Sequence, residues 1–375
     1  MNILFISELI PNDTYASQVV FYRHLSRLAS EGHNIHVICD QNSYNRRIKD
    51  LPLDFKLHVI PNRKFYYLPY RPSGLLQWLR FYLLYHEYIK KIIRQFAIER
   101  LIGVVNGNFL SPFTAYTQQQ TKIPLFSFFH DDTIEISWGA DLKSTIANTI
   151  KILQASNNVF IASESFKQNW PLFSHKFKLL FPIPSAQKSP GEHRIRTTSI
   201  SIGYSGTFYA ETLPFFVKFC ECLKDLNANL TIIGNNTNID FLAKNFENVN
   251  VLPLFSTSEE SNDFLFENCD LGMIIYTEEV SQMPWIKTCF PSKFIQFCSI
   301  DLPTIIVAPK DSAVGKWCIE NNWPLYIDKI SATAITNLFE HALFTEELFK
   351  QIAHVKNNIF DAEKIHAQFV NAISQ

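Results

Sequence analysis

Several patterns that would assign a function are missing from this chain of 375 residues. No cysteine pair has C-x-x-C spacing, no stretch reaches the roughly 18 apolar residues of a membrane span, and neither H-E-x-x-H nor a D-x-D at a strand end is found. No G-x-G-x-x-G follows the first strand, which argues against a nicotinamide site. A net charge of −1 gives no argument for nucleic-acid binding. We therefore expect no metal, no cofactor and no nucleic-acid partner.

Cysteine usage indicates a reducing compartment. The chain has seven cysteines, an odd number, and most of them lie in apolar stretches where cysteine behaves as a small hydrophobic residue. The first residues lack a cationic leader, and Glu8 and Asn12 interrupt the apolar run, so a signal peptide is not expected. Together these features predict a cytoplasmic protein.

Short apolar segments alternate with amphipathic ones along most of the chain. Segments 2–6, 55–60 and 125–129 read as buried strands, and residues 74–99 read as a long helix. Such alternation is typical of a parallel sheet covered on both faces, the α/β class. Near residue 181 it gives way to turn-forming and polar residues, and it restarts near residue 199. We predict two Rossmann-like domains, at 1–185 and 196–358.

One predicted helix carries a cation at an unusual place. Pro291 suits a first helical turn, Ser292 can cap that turn, and Lys293 follows within it. Helix N-termini favour negative charge, so a lysine there suggests that a phosphate is expected beside it. The alternative is a solvated surface lysine.

The order of the motifs resembles that of GT-B-fold glycosyltransferases, most closely the retaining family 4. Each motif is short, and the resemblance depends on their order along nearly the whole chain. The segments that carry it are 128–131, 159–165, the strand and glycine loop at 200–208, 230–234, 250–254, the Pro-Ser-Lys run at 290–297 with 301–303, and the C-terminal segment 365–369.

The resemblance implies two domains that face each other across a cleft, with a helix at about 360–375 that crosses back to the first domain. It implies transfer of a sugar, with retention and without a metal, from a UDP- or GDP-sugar donor to a glycan or lipid-linked acceptor. Lys293 and His130 would be the catalytic residues, acting on the leaving diphosphate and the donor sugar. The other implied substrate contacts are Gly206, Thr207, Leu254, Thr288, Ser292 and Gln296, with Asp131 toward the acceptor.

Two positions differ from the family pattern. The family typically has two glutamates eight positions apart, where this chain has Thr288 and Gln296. The amide of Gln296 can hydrogen-bond ribose hydroxyls, but it supplies no negative charge. Two alternatives stay open: a binding or partner subunit without turnover, and a nucleotide-sugar epimerase, which would need acid–base carboxylates. Simpler interpretations of single residues also stay open, namely a strand-to-helix turn at Gly206, a loop histidine at His130, and a helix-capping pair at Asp131 and Asp132.

The predicted helix 74–99 has two apolar sides. One stripe at helical spacing is expected to face the core, and it consists of Trp78, Phe81, Tyr85, Ile89, Ile92 and Phe96. The other side places leucines beside Arg80, Lys90, Lys91 and Arg94, and further cations and aromatics occur at 63–71. We hypothesise that this side contacts an anionic membrane surface, at the inner face of the membrane. The alternative is a solvated helix face.

Overall fold

The computed structural model describes residues 1–13, 16–46, 55–60, 75–136, 141–185, 199–342 and 346–375. The chain divides into two compact units, one formed by residues 1–181 and 366–375 and the other by residues 182–365. Most of the predicted linker, residues 186–198, lies outside the described residues, as do the cations and aromatics at 63–71.

Seven strands among the described residues form a parallel sheet in the first unit. They are β1 (Asn2–Ile6), β2 (Asn34–Asp40), β3 (Phe55–Ile60), β4 (Arg100–Val104), β5 (Leu125–Phe129), β6 (Asn158–Ile161) and β7 (Phe177–Leu179). Their order in the sheet is β3-β2-β1-β4-β5-β6-β7. Strand β5 is buried along its whole length, because helices cover both faces of a parallel sheet.

The described helices of the first unit follow the strands in βα alternation. They are α1 (Ala16–Ser30), α2 (Gln41–Arg46), α3 (Leu75–Leu84), α4 (Lys90–Gln95), α5 (Leu110–Thr121), α6 (Thr133–Ile136), α7 (Asp141–Ala155) and α8 (Phe166–Asn169). A π-helical turn, Tyr85–Ile89, joins α3 to α4. The predicted helix 74–99 is therefore one continuous helical segment that ends earlier than predicted.

The orientation of α3 corrects one prediction. Gln77, Phe81 and Leu84 face the core, whereas Trp78 is 51% exposed and does not belong to the buried stripe. Gln77 can be buried because its amide oxygen accepts a hydrogen bond from Lys151 Nζ at 3.0 Å, on α7. The core side of α3 thus includes a polar residue whose partner lies on the neighbouring helix.

The second unit repeats the parallel architecture with six described strands. They are β8 (Ile200–Ser205), β9 (Ala228–Ile233), β10 (Val249–Leu252), β11 (Leu271–Ile275), β12 (Thr304–Val307) and β13 (Tyr326–Ile327). Their order is β10-β9-β8-β11-β12-β13. Its helices are α9 (Leu213–Leu223), α10 (Thr237–Asn245), α11 (Ser258–Asn268), α12 (Ser292–Ser299), α13 (Ala313–Glu320), α14 (Ala332–Ala342) and α15 (Glu346–His354). A last helix, α16 (Ala362–Ser374), begins in this unit, and its residues from 366 onward belong to the first unit.

Most of α16 packs in the first unit. Phe369 is fully buried, and its ring lies 5.1 Å from that of Phe160 and 5.5 Å from that of Phe128. His366 Nε2 lies 2.8 Å from Glu31 Oε1, and Arg100 donates to the carbonyl of Ile373 at 2.8 Å. The C-terminal helix thus completes the core of the first unit.

Candidate functional site

Each sheet has one point at which the strand order reverses. In the second unit this point lies between β8 and β11, and in the first unit it lies between β1 and β4. In open α/β sheets, ligands bind in the crevice at the carboxyl ends of the two strands that flank the reversal. The candidate site of the second unit is therefore formed by the segments that follow β8 and β11.

The segment after β8 contains a glycine with an unusual backbone. Gly206 has φ +153°, a conformation that residues with a side chain rarely adopt. A Cβ at this position would meet only the hydroxyl of Tyr204, at 3.9 Å, so the requirement for glycine comes from the backbone and not from crowding. The same hydroxyl donates to the carbonyl of Thr207 at 2.9 Å and fixes the turn. Gly206 is half-buried and Thr207 is exposed.

Helix α12 begins just after the loop that follows β11. Pro291 is its N-cap residue and Ser292 is the first helical residue, so Ser292 does not cap the helix as predicted. Proline offers no side-chain acceptor, and no side chain caps this N-terminus in the structure. Ser292 is exposed and Lys293 is half-buried, within the first turn. The first turn of α12 thus combines backbone N–H groups that no side chain caps with a lysine residue.

Gln296 lies on the buried side of α12, and its amide contacts the chain itself. Its side-chain oxygen accepts from the backbone N–H of Ser185 at 2.9 Å, and its nitrogen donates to the hydroxyls of Ser185 and Ser299. A ribose would have to replace these partners, so the predicted ribose contact stays a prediction. Thr288 is fully buried, and its hydroxyl has no hydrogen-bond partner within the described part of the chain.

Leu254 also lies at the carboxyl edge of the second sheet, but farther from the reversal. It follows β10, which is separated from β8 by β9, and its side chain is 57% exposed. The adjacent Phe255 packs against Phe264, with ring centroids 5.4 Å apart. The predicted nucleobase contact of Leu254 is not tested by this placement.

In the first unit, His130 directly follows β5. Its ring lies 5.6 Å from that of Phe21 and 5.7 Å from that of Phe128, and desolvation lowers its pKa to about 4. The imidazole is therefore neutral near pH 7, and it can donate or accept a hydrogen bond without carrying charge.

The two aspartates after His130 have different environments. Asp131 is exposed, whereas Asp132 is buried. One Asp132 oxygen accepts from Trp170 Nε1 at 3.0 Å and from the Ile134 N–H at 3.1 Å, and the other accepts from Asn169 at 2.9 Å. Asp132 therefore caps α6 and has a structural role, which confirms the capping interpretation for this residue only.

Two groupings at the strand-order reversals were missed by sequence reasoning. In the first unit, Glu8 Oε2 accepts from Asn106 at 3.1 Å and Oε1 accepts from the Leu110 N–H at 2.7 Å, and desolvation raises the pKa of Glu8. In the second unit, Tyr209 and Trp285 meet with ring centroids 5.0 Å apart. The members of each pair follow different strands, so only knowledge of the strand order could have brought them together.

No helix in the described ranges is both long and apolar enough to cross a membrane. Within the same ranges, no three His, Cys, Asp or Glu side chains gather as metal ligands would.

Comparisons with known proteins give a fold but no sequence family. No protein-family model matches the sequence, and no curated protein matches it significantly. Among solved structures, a sucrose-phosphate synthase from Thermosynechococcus elongatus is similar, with a TM-score of 0.67 and 13% identity over 99% of this chain and 97% of that one. Anabaena HepE, in complex with UDP and glucose, has a TM-score of 0.65 and 11% identity over 100% and 99% of the two chains.

The lipopolysaccharide outer core galactosyltransferase WaaB, in its apo form, is also similar, with a TM-score of 0.63 and 12% identity over 100% of this chain and 99% of that one. By name, WaaB is a galactosyltransferase and the first structure is a sucrose-phosphate synthase, and the likeness extends along at least 97% of each of the three chains. Identities this low establish the fold alone. The chain consists of two parallel-sheet α/β domains and has the GT-B fold, as predicted; its place in the retaining family 4 stays a prediction.

Proposed function

We propose that this protein is a glycosyltransferase that moves a sugar from a nucleotide-sugar donor to a glycan or lipid-linked acceptor, with retention and without a metal. The whole-length likeness to three glycosyltransferase structures supports the reaction class. The HepE complexes with UDP, glucose and UDP-glucose support a UDP-sugar donor ahead of a GDP-sugar donor.

The main support for the proposal is the set of groups at the crevice between β8 and β11. The turn at Gly206 and the start of α12 both lie at the carboxyl edge of the sheet, and Lys293 belongs to the first turn of that helix. Breaking the glycosidic bond leaves negative charge on the departing diphosphate. Backbone N–H groups at a helix N-terminus and a nearby ammonium group stabilise such charge as it develops.

The remaining donor contacts are proposed in two groups. Thr207 and Ser292 are exposed beside the proposed diphosphate position and would donate hydroxyl hydrogen bonds to it. The second group consists of Thr288 and Gln296, which occupy the positions where the family has glutamates and would contact the sugar and the ribose. Leu254 would contact the nucleobase.

The acceptor is proposed to bind the first unit. His130, which is predicted to act on the donor sugar, would hydrogen-bond one of its hydroxyls as a neutral imidazole and would add no positive charge near the reacting carbon. Asp131, exposed beside it, would orient the acceptor hydroxyl. In this mechanism the donor phosphate itself takes the acceptor proton, so no enzyme nucleophile is required.

A nucleotide panel tests the donor site. Thermal unfolding would be measured with UDP, GDP, ADP and CMP, and a nucleotide at about 100 times its dissociation constant should add about 2.7 kcal/mol. We expect UDP to give the largest shift. If none of the four changes the unfolding temperature at millimolar concentration, the donor-site proposal is wrong.

Product analysis separates the proposal from its two rivals. A transferase should hydrolyse its donor slowly without acceptor and should retain this activity in EDTA. A partner subunit should release no sugar, and an epimerase should convert the free nucleotide sugar to its isomer. Proton NMR of the transferred sugar would report retention directly.

The exposed side of α3 supports the proposal of a lipid-linked acceptor, because it has the composition of a membrane-contacting surface. Four large side chains of α3 are exposed, namely Leu75 (72%), Leu76 (50%), Trp78 (51%) and Tyr82 (43%). The exposed cations Lys91 and Arg94 follow on α4. Tryptophan and tyrosine favour the headgroup level of a bilayer, and each cation near an anionic leaflet adds about 1 kcal/mol. We propose peripheral contact with an anionic membrane surface through this face. It differs from the side predicted from the sequence, because it includes Trp78 and leaves out Arg80, whose guanidinium group lies 3.9 Å from the centroid of the Phe109 ring.

Flotation with liposomes tests the membrane contact. The protein should float with anionic vesicles and less with neutral ones, and the double variant Trp78→Ala and Tyr82→Ala should stay in the dense fraction. Binding that is equal for both vesicle types and for the variant would rule out this face.

A further inference from the structure

Three aromatic side chains span the strand-order reversal of the second sheet. Tyr209 lies on the segment that follows β8, Tyr276 directly follows β11, and Trp285 lies in the short 3₁₀ helix Pro284–Lys287 that precedes α12. The Trp285 ring centroid is 5.0 Å from that of Tyr209 and 5.7 Å from that of Tyr276. We call these three residues the aromatic bridge, because they connect the two segments that flank the crevice.

The aromatic bridge has a buried side and an open side. Tyr276 is only 8% exposed and meets the Trp285 ring at 81°, an edge-to-face contact that fixes the indole. Trp285 itself is half-buried, and Tyr209 is 37% exposed. The indole thus contacts the buried ring of Tyr276 and the partly exposed ring of Tyr209. Part of its own surface stays accessible at the edge of the sheet where ligands bind.

Two uncharged residues follow Trp285 at the positions where the family pattern has glutamates. Thr288, three residues beyond Trp285, is uncharged and fully buried, and the amide of Gln296 is bonded to Ser185 and Ser299. The accessible part of the indole therefore offers apolar contact to a ligand group. Sites for small molecules combine this kind of aromatic lining with a few placed polar groups.

We propose that Trp285, fixed by Tyr276 and flanked by Tyr209, is the platform on which the hexopyranose ring of the donor rests. This inference rests on the proposed function. The C–H groups on one face of a pyranose form an apolar surface that matches an indole, whereas the diphosphate is charged and belongs with Lys293 and the start of α12. Trp285 would then determine affinity for the sugar, and the nucleotide would be held elsewhere.

Calorimetric titration of UDP, UDP-glucose and UDP-galactose tests this division of roles. In the wild type at least one UDP-hexose should bind more tightly than UDP. Trp285→Ala should weaken that UDP-hexose by about tenfold and UDP by less than twofold, because a stacking energy of about 1.4 kcal/mol would be lost for the sugar alone. Trp285→Phe, which keeps a ring, should recover most of the affinity.

Two controls keep the outcome interpretable. Phe241→Ala removes an aromatic that is 46% exposed on α10, in the same unit, and should change none of the three affinities. Thermal unfolding of Trp285→Phe checks that the site still folds. Equal weakening of UDP and UDP-hexose in both Trp285 variants would overturn the sugar platform, and so would unchanged affinities. A wild type that binds no UDP compound would instead overturn the proposed UDP-sugar donor on which this inference rests.

Discussion

Replacing Lys293 by alanine removes the positive charge at the start of α12 and should lower kcat/KM strongly. The side chain is half-buried, so an effective dielectric constant of about 20 applies. At this value, two unit charges about 4 Å apart attract by roughly 4 kcal/mol before desolvation is subtracted. A loss of about 3–4 kcal/mol corresponds to a decrease of two to three orders of magnitude in kcat/KM.

The assay is the initial rate of nucleotide release over a range of donor concentrations, with the donor chosen from the nucleotide panel. Lys350→Ala is the matched control: Lys350 is 63% exposed and pairs with Glu346 at 2.7 Å on α15, so its removal should leave the rate within about twofold. Lys293→Arg keeps the charge but changes its geometry, and it should fall between the two. A Lys293→Ala enzyme within about fivefold of the wild type would refute the assigned role of this residue.

Three further changes have defined outcomes. Gly206→Ala forces a side chain into φ +153° and should cost about 1–3 kcal/mol of stability in urea unfolding; no loss would mean that the turn relaxes freely. Phe369→Ala empties a fully buried site beside Phe128 and Phe160 and should cost about 3–5 kcal/mol, whereas a cost below 1 kcal/mol would place α16 outside the core. The pKa of His130 is lowered from 6.5 to about 4, so the folded state resists protonation of this residue, and stability is retained above pH 6.5 and lost as pH falls toward 4. His130→Gln should flatten this slope, and an unchanged slope would contradict the lowered pKa.

The strands and their α/β class could be predicted from the sequence because buried parallel strands are continuous apolar runs between turn-forming residues. The bounds of β1, β3 and β5 agree with the prediction. Strands β7 and β13 were missed, since they have only three and two residues. Trp78 was assigned to the wrong side of α3, because periodicity alone does not reveal that Gln77 finds Lys151 on α7.

For the candidate site, residues within one short segment were easier to identify than partners from different segments. The turn at Gly206 and the helix that begins at Ser292 are local features, and the sequence indicated both. The bonding of Gln296 to Ser185 joins residues 111 positions apart, and nothing in either segment indicates it.

The sequence by itself determined two parallel α/β units, the positions of most strands, and a lysine at the start of α12, because local apolar periodicity and turn chemistry specify these features. The tertiary structure alone decided that Glu8 meets Asn106 and that Trp285 meets Tyr209. Both pairs depend on which strands lie side by side at the point where the sheet order reverses, and that order results from the packing of helices and strands far apart in the chain.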